Sequence, residues 1–89
     1  MSRAEHSGSV LRVHLDLHEC GTVIIDEAGC DLPDREAARH LAIRSARDIM
    51  CAELAEGRLC LSCRIDIRDA DGRILEQVPF RSAVVITGL

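Results

Sequence analysis

The stretch DREAARHLAIRSARDIMCAELAE, residues 34–56, decides the fold of this chain. It contains no Gly or Pro and is rich in Ala, Leu, Arg and Glu, which have high helix propensities. Asp34 can accept hydrogen bonds from the free amides of a first helical turn. Gly57 follows the stretch and can take the left-handed conformation that ends a helix. The sequence therefore predicts one long helix over residues 34–56.

Alternating apolar and polar residues flank this helix on both sides, a pattern typical of strands with one buried face. Before the helix, residues 10–18 alternate and residues 22–26 are mostly β-branched, which predicts a hairpin. After the helix, residues 61–68 alternate and residues 73–78 can fold back on them. We therefore expect an α+β fold of order ββαββ, in which one long helix packs across one face of a four- to five-stranded antiparallel sheet.

The two ends of the chain carry weaker signals. Residues 1–9 contain Ser and Gly without periodicity, and we expect a flexible N-terminal tail there. Residues 10–89 are expected to form a single domain. Residues 82–87 (SAVVIT) are β-prone, so they could add an edge strand or pair with another molecule.

Composition limits the classes of function. Phe80 is the one aromatic residue in a chain that is 47% hydrophobic, so the core must be aliphatic. A formal net charge of −4 argues against a broad nucleic-acid or anionic-lipid surface. The sequence lacks a long apolar run and a signal-peptide pattern, so we expect a cytoplasmic protein. In that compartment cysteines are more often free thiols or metal ligands than disulfides. The chain has Cys20, Cys30, Cys51, Cys60 and Cys63.

Two motifs resemble a known family. Residues 26–38 read D-E-x-G-x-x-L-P-D-x-x-x-A, and residues 69–80 read D-x-D-G-R-x-L-x-x-V-P-F. With the strands and helix around them, these motifs resemble the short bacterial proteins of domain-of-unknown-function family six-eight-nine-four, over roughly residues 11–86. The resemblance implies a fold, with the shared residues as turns, caps and core. It implies no activity, cofactor or substrate, and it gives no role to the cysteines or to His14.

The cysteines are the sharpest candidates for chemistry. Cys60-Leu61-Ser62-Cys63 is a C-x-x-C motif, and Cys51 lies nine residues before it. Thiolates at this spacing can supply half of a tetrahedral zinc site, although a second pair of ligands is missing from the pattern. The alternation also places Cys63 with Ile65 and Ile67, where a cysteine acts as a small apolar core residue. We expect core or bystander cysteines, with a metal or redox site as the alternative.

Two polar patterns have a simple explanation. His14, Asp16 and His18 lie on one face of the first strand, where two neighbours could share a metal ion. A solvated polar face explains the same residues, and we expect that. On the helix, Arg44, Arg47 and His40 form a basic stripe, which acidic residues of the same helix interrupt.

These observations favour a small non-catalytic interaction module that acts as a homodimer through a protein partner. The sequence shows no catalytic set of nucleophile, base and phosphate-binding loop, so we expect no enzyme and no cofactor. The apolar stripe of the helix is wider than one sheet requires, which suggests a second contact. The interface candidates are Ile43, Met50, Leu54, Val84 and Ile86.

Two alternatives remain open. One is a metal-binding or thiol-sensing protein that uses Cys51, Cys60 and Cys63. The other is a weak nucleic-acid binder that uses Arg44 and Arg47.

Overall fold

A computed structural model describes residues 10–89 of the 89-residue chain. The expected N-terminal tail, residues 1–9, lies outside the described residues. In the described part, the chain forms five strands, one α-helix and one 3-10 helix. The strands are β1 (Leu11–Glu19), β2 (Thr22–Ile24), β3 (Cys30–Leu32), β4 (Arg64–Asp69) and β5 (Ile74–Pro79). The α-helix is α1 (Arg35–Ala55), and the 3-10 helix is Phe80–Ser82.

Helix α1 begins and ends where its local sequence predicts. The Asp34 carboxylate accepts a hydrogen bond from the Ala37 amide at 2.8 Å, which satisfies one free donor of the first turn. At the other end, Gly57 has φ +86°, a conformation that glycine adopts without strain. The long helix is therefore confirmed, with bounds one residue inside the predicted ones.

The strands form one antiparallel sheet in the order β2-β1-β4-β5, and β3 pairs with β1 beside β2. Strands β1 and β4 are central, which brings residues of the first hairpin next to the segment that follows the helix. The α+β architecture with one long helix on a five-stranded sheet is confirmed. Strand β5 lies at an edge and ends at Pro79, as expected for a residue that cannot donate to a ladder.

The element order is βββαββ, so the third strand is an addition to the predicted ββαββ. Strand β2 ends at Ile24 rather than at Asp26, because the Asp26 side chain organises the next turn. Its carboxylate accepts hydrogen bonds from the Leu15 amide and from the Gly29 amide, both at 3.0 Å. The first bond gives a partner to the Leu15 amide, which lies in β1 between the residues that pair with β2 and those that pair with β3. The second bond turns the chain back, so that β3 pairs with the start of β1.

The core lies between α1 and one face of the sheet. Ala38, Ala42 and Ala46 are fully buried on the helix, and their small side chains allow a close approach to the strands. The strands contribute Val13, Ile65, Ile67 and Val78, and the 3-10 helix contributes Phe80. Phe80 is fully buried, so the one aromatic side chain closes the end of the aliphatic core.

The C-terminal segment does not form the suggested edge strand. Residues 85–89 have no regular secondary structure in the described chain. The physical reason lies just before them, where the carbonyl of Ala83 accepts a hydrogen bond from Arg47 Nε at 2.7 Å. That bond and the burial of Phe80 direct the chain along the helix rather than along β5. In the described part, α1 is not long and apolar enough to cross a membrane.

Candidate thiol and metal site

The first element of the site is the turn between β1 and β2. Glu19 pairs with Thr22 across the hairpin, which leaves Cys20 and Gly21 as a two-residue loop. Gly21 has φ +78°, a left-handed conformation that glycine adopts without strain in a tight turn. Cys20 is exposed at the end of the sheet.

The second element is the connection between α1 and β4. After the turn at Gly57, the chain runs back toward the sheet, and the Cys60 amide donates to the Glu53 carboxylate at 3.2 Å. The carbonyl of Cys63 accepts from the Phe80 amide at 2.9 Å, which fixes this end of the connection to the core. The C-x-x-C motif therefore lies in an ordered loop, directly before β4.

These two loops bring three sulfur atoms together. The ligand atoms of Cys20, Cys60 and Cys63 all lie within 4.8 Å of one another, and Cys20 Sγ lies 3.0 Å from Cys60 Sγ. Cys60 is half-buried, whereas Cys63 is only 2% exposed. Ser62 Oγ lies 3.3 Å from Cys60 Sγ and adds a hydroxyl at the edge of the cluster.

The three thiols are not equivalent. Hydrogen bonds from the Cys20 thiol, and then from Ser62 and Cys63, lower the pKa of Cys60 to about 6. Burial raises the pKa of Cys63 to about 12, and the neighbouring Cys60 sulfur acts in the same direction. The metal-free cluster at neutral pH therefore holds a thiolate at Cys60 and a protonated thiol at Cys63.

This geometry fits a soft metal ion. A tetrahedral zinc ion with Zn–S bonds of about 2.3 Å places its sulfur ligands about 3.8 Å apart. The Cys20 and Cys60 sulfur atoms, 3.0 Å apart, would move apart by about 0.8 Å to bind such an ion, and the whole group lies within 4.8 Å. Glu19 and Glu53 line the same open pocket and offer carboxylate oxygens for a fourth position.

The structure changes the membership of the predicted cysteine site. Cys60 and Cys63 come together as the C-x-x-C motif suggested, but Cys51 is exposed on α1 and lies outside the group. Cys20 takes its place. Cys20 is missing from the predicted site because the sequence pattern does not predict that β1 pairs with β4. In that pairing His18 lies opposite Arg64, so the β1–β2 turn lies beside the loop that precedes β4.

The face of β1 that carries His14, Asp16 and His18 is not the solvated face that we expected. Asp16 is 5% exposed and Asp66, its cross-strand partner, is 2% exposed. Each carboxylate has its own arginine, Asp16 with Arg68 Nε at 2.7 Å and Asp66 with Arg64 Nε at 2.9 Å. The alternation identified the face correctly, but it did not show that long arginine side chains would cover the carboxylates.

Both histidines of this face also have polar partners within the protein. His18 Nε2 lies 3.0 Å from Asp66 Oδ2, and His14 Nδ1 lies 2.7 Å from the carbonyl oxygen of Asp26. In the described residues, every buried side-chain nitrogen and oxygen has a hydrogen-bond partner. The cluster is thus a satisfied polar network that joins β1 to β4 rather than an open ligand site.

The predicted basic stripe of α1 is partly used within the fold. Arg47 donates to the C-terminal segment, and His40 Nε2 lies 3.3 Å from the Glu36 carboxylate. Arg44 is exposed. Nucleic-acid binding through this stripe stays a prediction.

The predicted interface residues fall into three groups. Met50 is 4% exposed and belongs to the core, so its side chain is not available on the surface of this fold. Ile43 and Val84 are partly buried against the same core. Leu54 is 58% exposed and Ile86 is 40% exposed, so these two remain accessible. Part of the wide apolar stripe of the helix is therefore buried within the single chain and needs no dimer partner.

Comparison with known proteins identifies a family without assigning a function. No curated protein and no solved structure matches the chain. A family model described as a domain of unknown function (DUF6894) matches residues 12–81, which include both motifs, the helix and all five strands except the first residue of β1. The chain belongs to the DUF6894 family.

Proposed function

We propose that this protein binds a thiophilic metal ion, zinc first among them, through Cys20, Cys60 and Cys63. The observation that carries the proposal is the convergence of three sulfur atoms within 4.8 Å of one another. They come from two loops that are separated by 40 residues between Cys20 and Cys60. Such a convergence of thiols from distant parts of a chain is typical of zinc sites.

The surroundings of the sulfur atoms support the same proposal. Thiolates favour soft or borderline ions such as zinc over magnesium or calcium, which prefer oxygen ligands. Cys20 is exposed in a turn and Cys60 is half-buried in the loop before β4, which gives an ion an entry path, while Cys63 anchors the group to the core. Glu53 already contacts the backbone of Cys60, and a water molecule or this carboxylate can complete the coordination.

The test is native mass spectrometry of the chain purified without chelator, repeated after chelation and after addition of zinc. We expect one zinc ion per chain, lost with chelator and regained on addition. Cobalt substitution provides a second measurement, because thiolate ligands give charge-transfer absorption and a tetrahedral site gives intense visible bands. Cys20→Ser and Cys60→Ser should both lose the metal and the cobalt spectrum.

Cys51→Ser is the matched control, since Cys51 is an exposed cysteine outside the cluster. It should bind zinc as the wild type does. Equal zinc binding by Cys20→Ser and the wild type would refute the proposed ligand set, and absence of zinc and cobalt binding in the reduced wild type would refute the function.

The homodimer and the protein partner expected from the sequence stay predictions. The exposed side chains of Leu54 and Ile86 support a contact surface at most in part, because Met50 lies in the core. The same native mass spectra report the number of chains in the particle. A dimer that Leu54→Glu dissociates would support the interaction module, and a monomer throughout the working concentration range would contradict it.

A further inference from the structure

Two of the three sulfur atoms are already close to disulfide distance. Cys20 Sγ and Cys60 Sγ lie 3.0 Å apart, and a disulfide bond requires about 2.05 Å, so the two atoms need to approach by about 1 Å. Cys20 belongs to a two-residue turn, and the amide of Cys60 bonds to a side chain rather than to a strand. Neither residue belongs to a strand or helix, so this approach leaves the sheet ladder intact.

Cys63 is a poorer partner for either of them. Its side chain is buried, with 2% of its surface exposed, so an oxidant in solution reaches it last. Its carbonyl is held by the amide of Phe80, which is itself fully buried. The accessible pair in the cluster is therefore Cys20 and Cys60.

We propose that Cys20 and Cys60 form a reversible disulfide when a hydroperoxide oxidises the metal-free cluster, so that oxidation controls the metal site. This inference rests on the proposed function for its consequence, since the disulfide removes two of the three metal ligands. Its chemistry depends only on the two sulfur atoms. A bound metal ion, in turn, engages both sulfur atoms and protects them from oxidation.

The reaction balances in two steps. The Cys60 thiolate attacks one peroxide oxygen, the O–O bond breaks, and Cys60 becomes a sulfenic acid while hydroxide (or alkoxide) leaves. The Cys20 sulfur then attacks the Cys60 sulfur, the S–S bond forms and the S–O bond breaks. The leaving hydroxide takes the Cys20 proton as water. The hydroxide released in the first step takes a proton from solvent, which replaces the one that Cys60 gave up on ionising. In sum, one thiolate, one thiol, one proton and one hydrogen peroxide give one disulfide and two water molecules, and the sulfur pair loses the two electrons that the peroxide gains.

The experiment treats reduced, metal-free protein with hydrogen peroxide and measures the intact mass and the cross-linked peptides. We expect a monomer whose mass falls by two hydrogen atoms, and recovery of the starting mass with a thiol reductant. Trypsin leaves Cys20 with Cys30 in one peptide and Cys60 with Cys63 in another, so peptide masses alone do not identify the pair. Cys30→Ser and Cys63→Ser resolve this, because the cross-link should survive in both variants.

Removal of the second sulfur tests the order of steps. In Cys20→Ser the reaction should stop at a sulfenic acid on Cys60, which dimedone traps as a stable adduct. Cys51→Ser is again the control and should form the disulfide as the wild type does. Loss of the cross-link in Cys30→Ser, or in a Cys63→Ser chain that keeps the circular dichroism spectrum of the wild type, would overturn the inference. Peroxide products that are only sulfinic acid or intermolecular disulfides would do the same.

The zinc arm separates this inference from the proposed function. Zinc-loaded protein should form the disulfide at least tenfold more slowly than metal-free protein, and oxidised protein should bind no zinc. Zinc binding without disulfide formation in the metal-free chain refutes the redox inference and leaves the metal function standing. Disulfide formation in a chain that never binds zinc supports the oxidation chemistry and refutes the metal function.

Discussion

The contact between Arg68 and Asp16 gives a prediction whose size follows from the structure. Asp16 is 5% exposed, and its carboxylate accepts from Arg68 Nε at 2.7 Å and from Arg68 Nη2 at 3.2 Å. Arg68→Met keeps much of the aliphatic volume but removes both donors. The carboxylate then keeps one described backbone donor, the Asp26 amide at 2.9 Å. The substitution leaves a buried charge with too few partners.

The expected loss can be estimated. Removal of one partner from a fully buried ion pair destabilises a protein by about 3–5 kcal/mol. The Arg68 side chain is 24% exposed, so water can replace part of the lost contact, and we expect about 2–3 kcal/mol. With an m-value of about 1 kcal/mol per molar urea for a domain of this size, the midpoint should fall by roughly 2–3 M. Urea titration followed by circular dichroism at pH 7 measures it.

The pH dependence of the stability loss in Arg68→Met provides an independent test. The hydrogen bond from Arg68 is the main cause that lowers the pKa of Asp16 in the folded chain. A lowered folded-state pKa means that the contribution of Asp16 is complete above its unfolded pKa of about 3.9 and is lost as the pH falls below it. The difference between wild type and Arg68→Met should therefore shrink in acid.

Two further variants make this prediction refutable. Arg58→Met removes an exposed arginine, whose side chain is 73% exposed, and should change stability by no more than about 0.5 kcal/mol. Asp16→Asn combined with Arg68→Met removes the unpaired charge and should recover part of the loss. A loss below about 1 kcal/mol for Arg68→Met, or one that is constant from pH 7 to acid, would refute the reasoning from the buried network.

Three other predictions address the turns and the thiols. The Cys20–Cys60 disulfide would close a loop of 40 residues, for which loop entropy gives about 4 kcal/mol, so the oxidised monomer should unfold at higher urea than the reduced one; equal midpoints would contradict this. The pKa of Cys60 is lowered to about 6, chiefly by the Cys20 thiol, so the alkylation rate of Cys60 in metal-free protein should level off by pH 7. In Cys20→Ser the pH profile of that rate should move to higher pH, as peptide-resolved mass spectrometry would show. Gly29→Ala should destabilise the chain by more than Gly72→Ala in thermal unfolding, because both glycines have positive φ but only the Cβ at position 29 would meet a backbone oxygen, at 2.9 Å.

The sequence predicts the helix well because its signals are local. Asp34 and Gly57 mark the ends of α1 within a few residues of the bonds that they make. The alternation of residues 10–18 and 61–68 likewise predicts which side chains face the core. Strand β3 is three residues long and carries no comparable pattern. It exists because the Asp26 carboxylate turns the chain back onto β1, which no periodicity in the sequence indicates.

The candidate site is harder to predict because it depends on strand order. Cys20 and Cys60 are far apart in the sequence, and only the pairing of β1 with β4 places their turns at the same end of the sheet. Nearness along the chain favoured Cys51 instead, which α1 carries away from the cluster. The same limit applies to the buried network, because alternation places Asp16 and Asp66 on one face without showing that arginines cover them.

The placement of the three cysteines determines which variant tests the site most cleanly. Cys63 is a member of the buried core, so Cys63→Ser puts a hydroxyl among aliphatic side chains and can weaken folding and metal binding together. Cys20 is exposed in a turn and is not itself one of the core residues. Cys20→Ser should therefore keep the stability of the reduced, metal-free wild type while it removes one ligand and one redox partner. A stable Cys20→Ser chain that loses zinc shows a ligand role for the sulfur, because a purely structural cysteine would change stability instead.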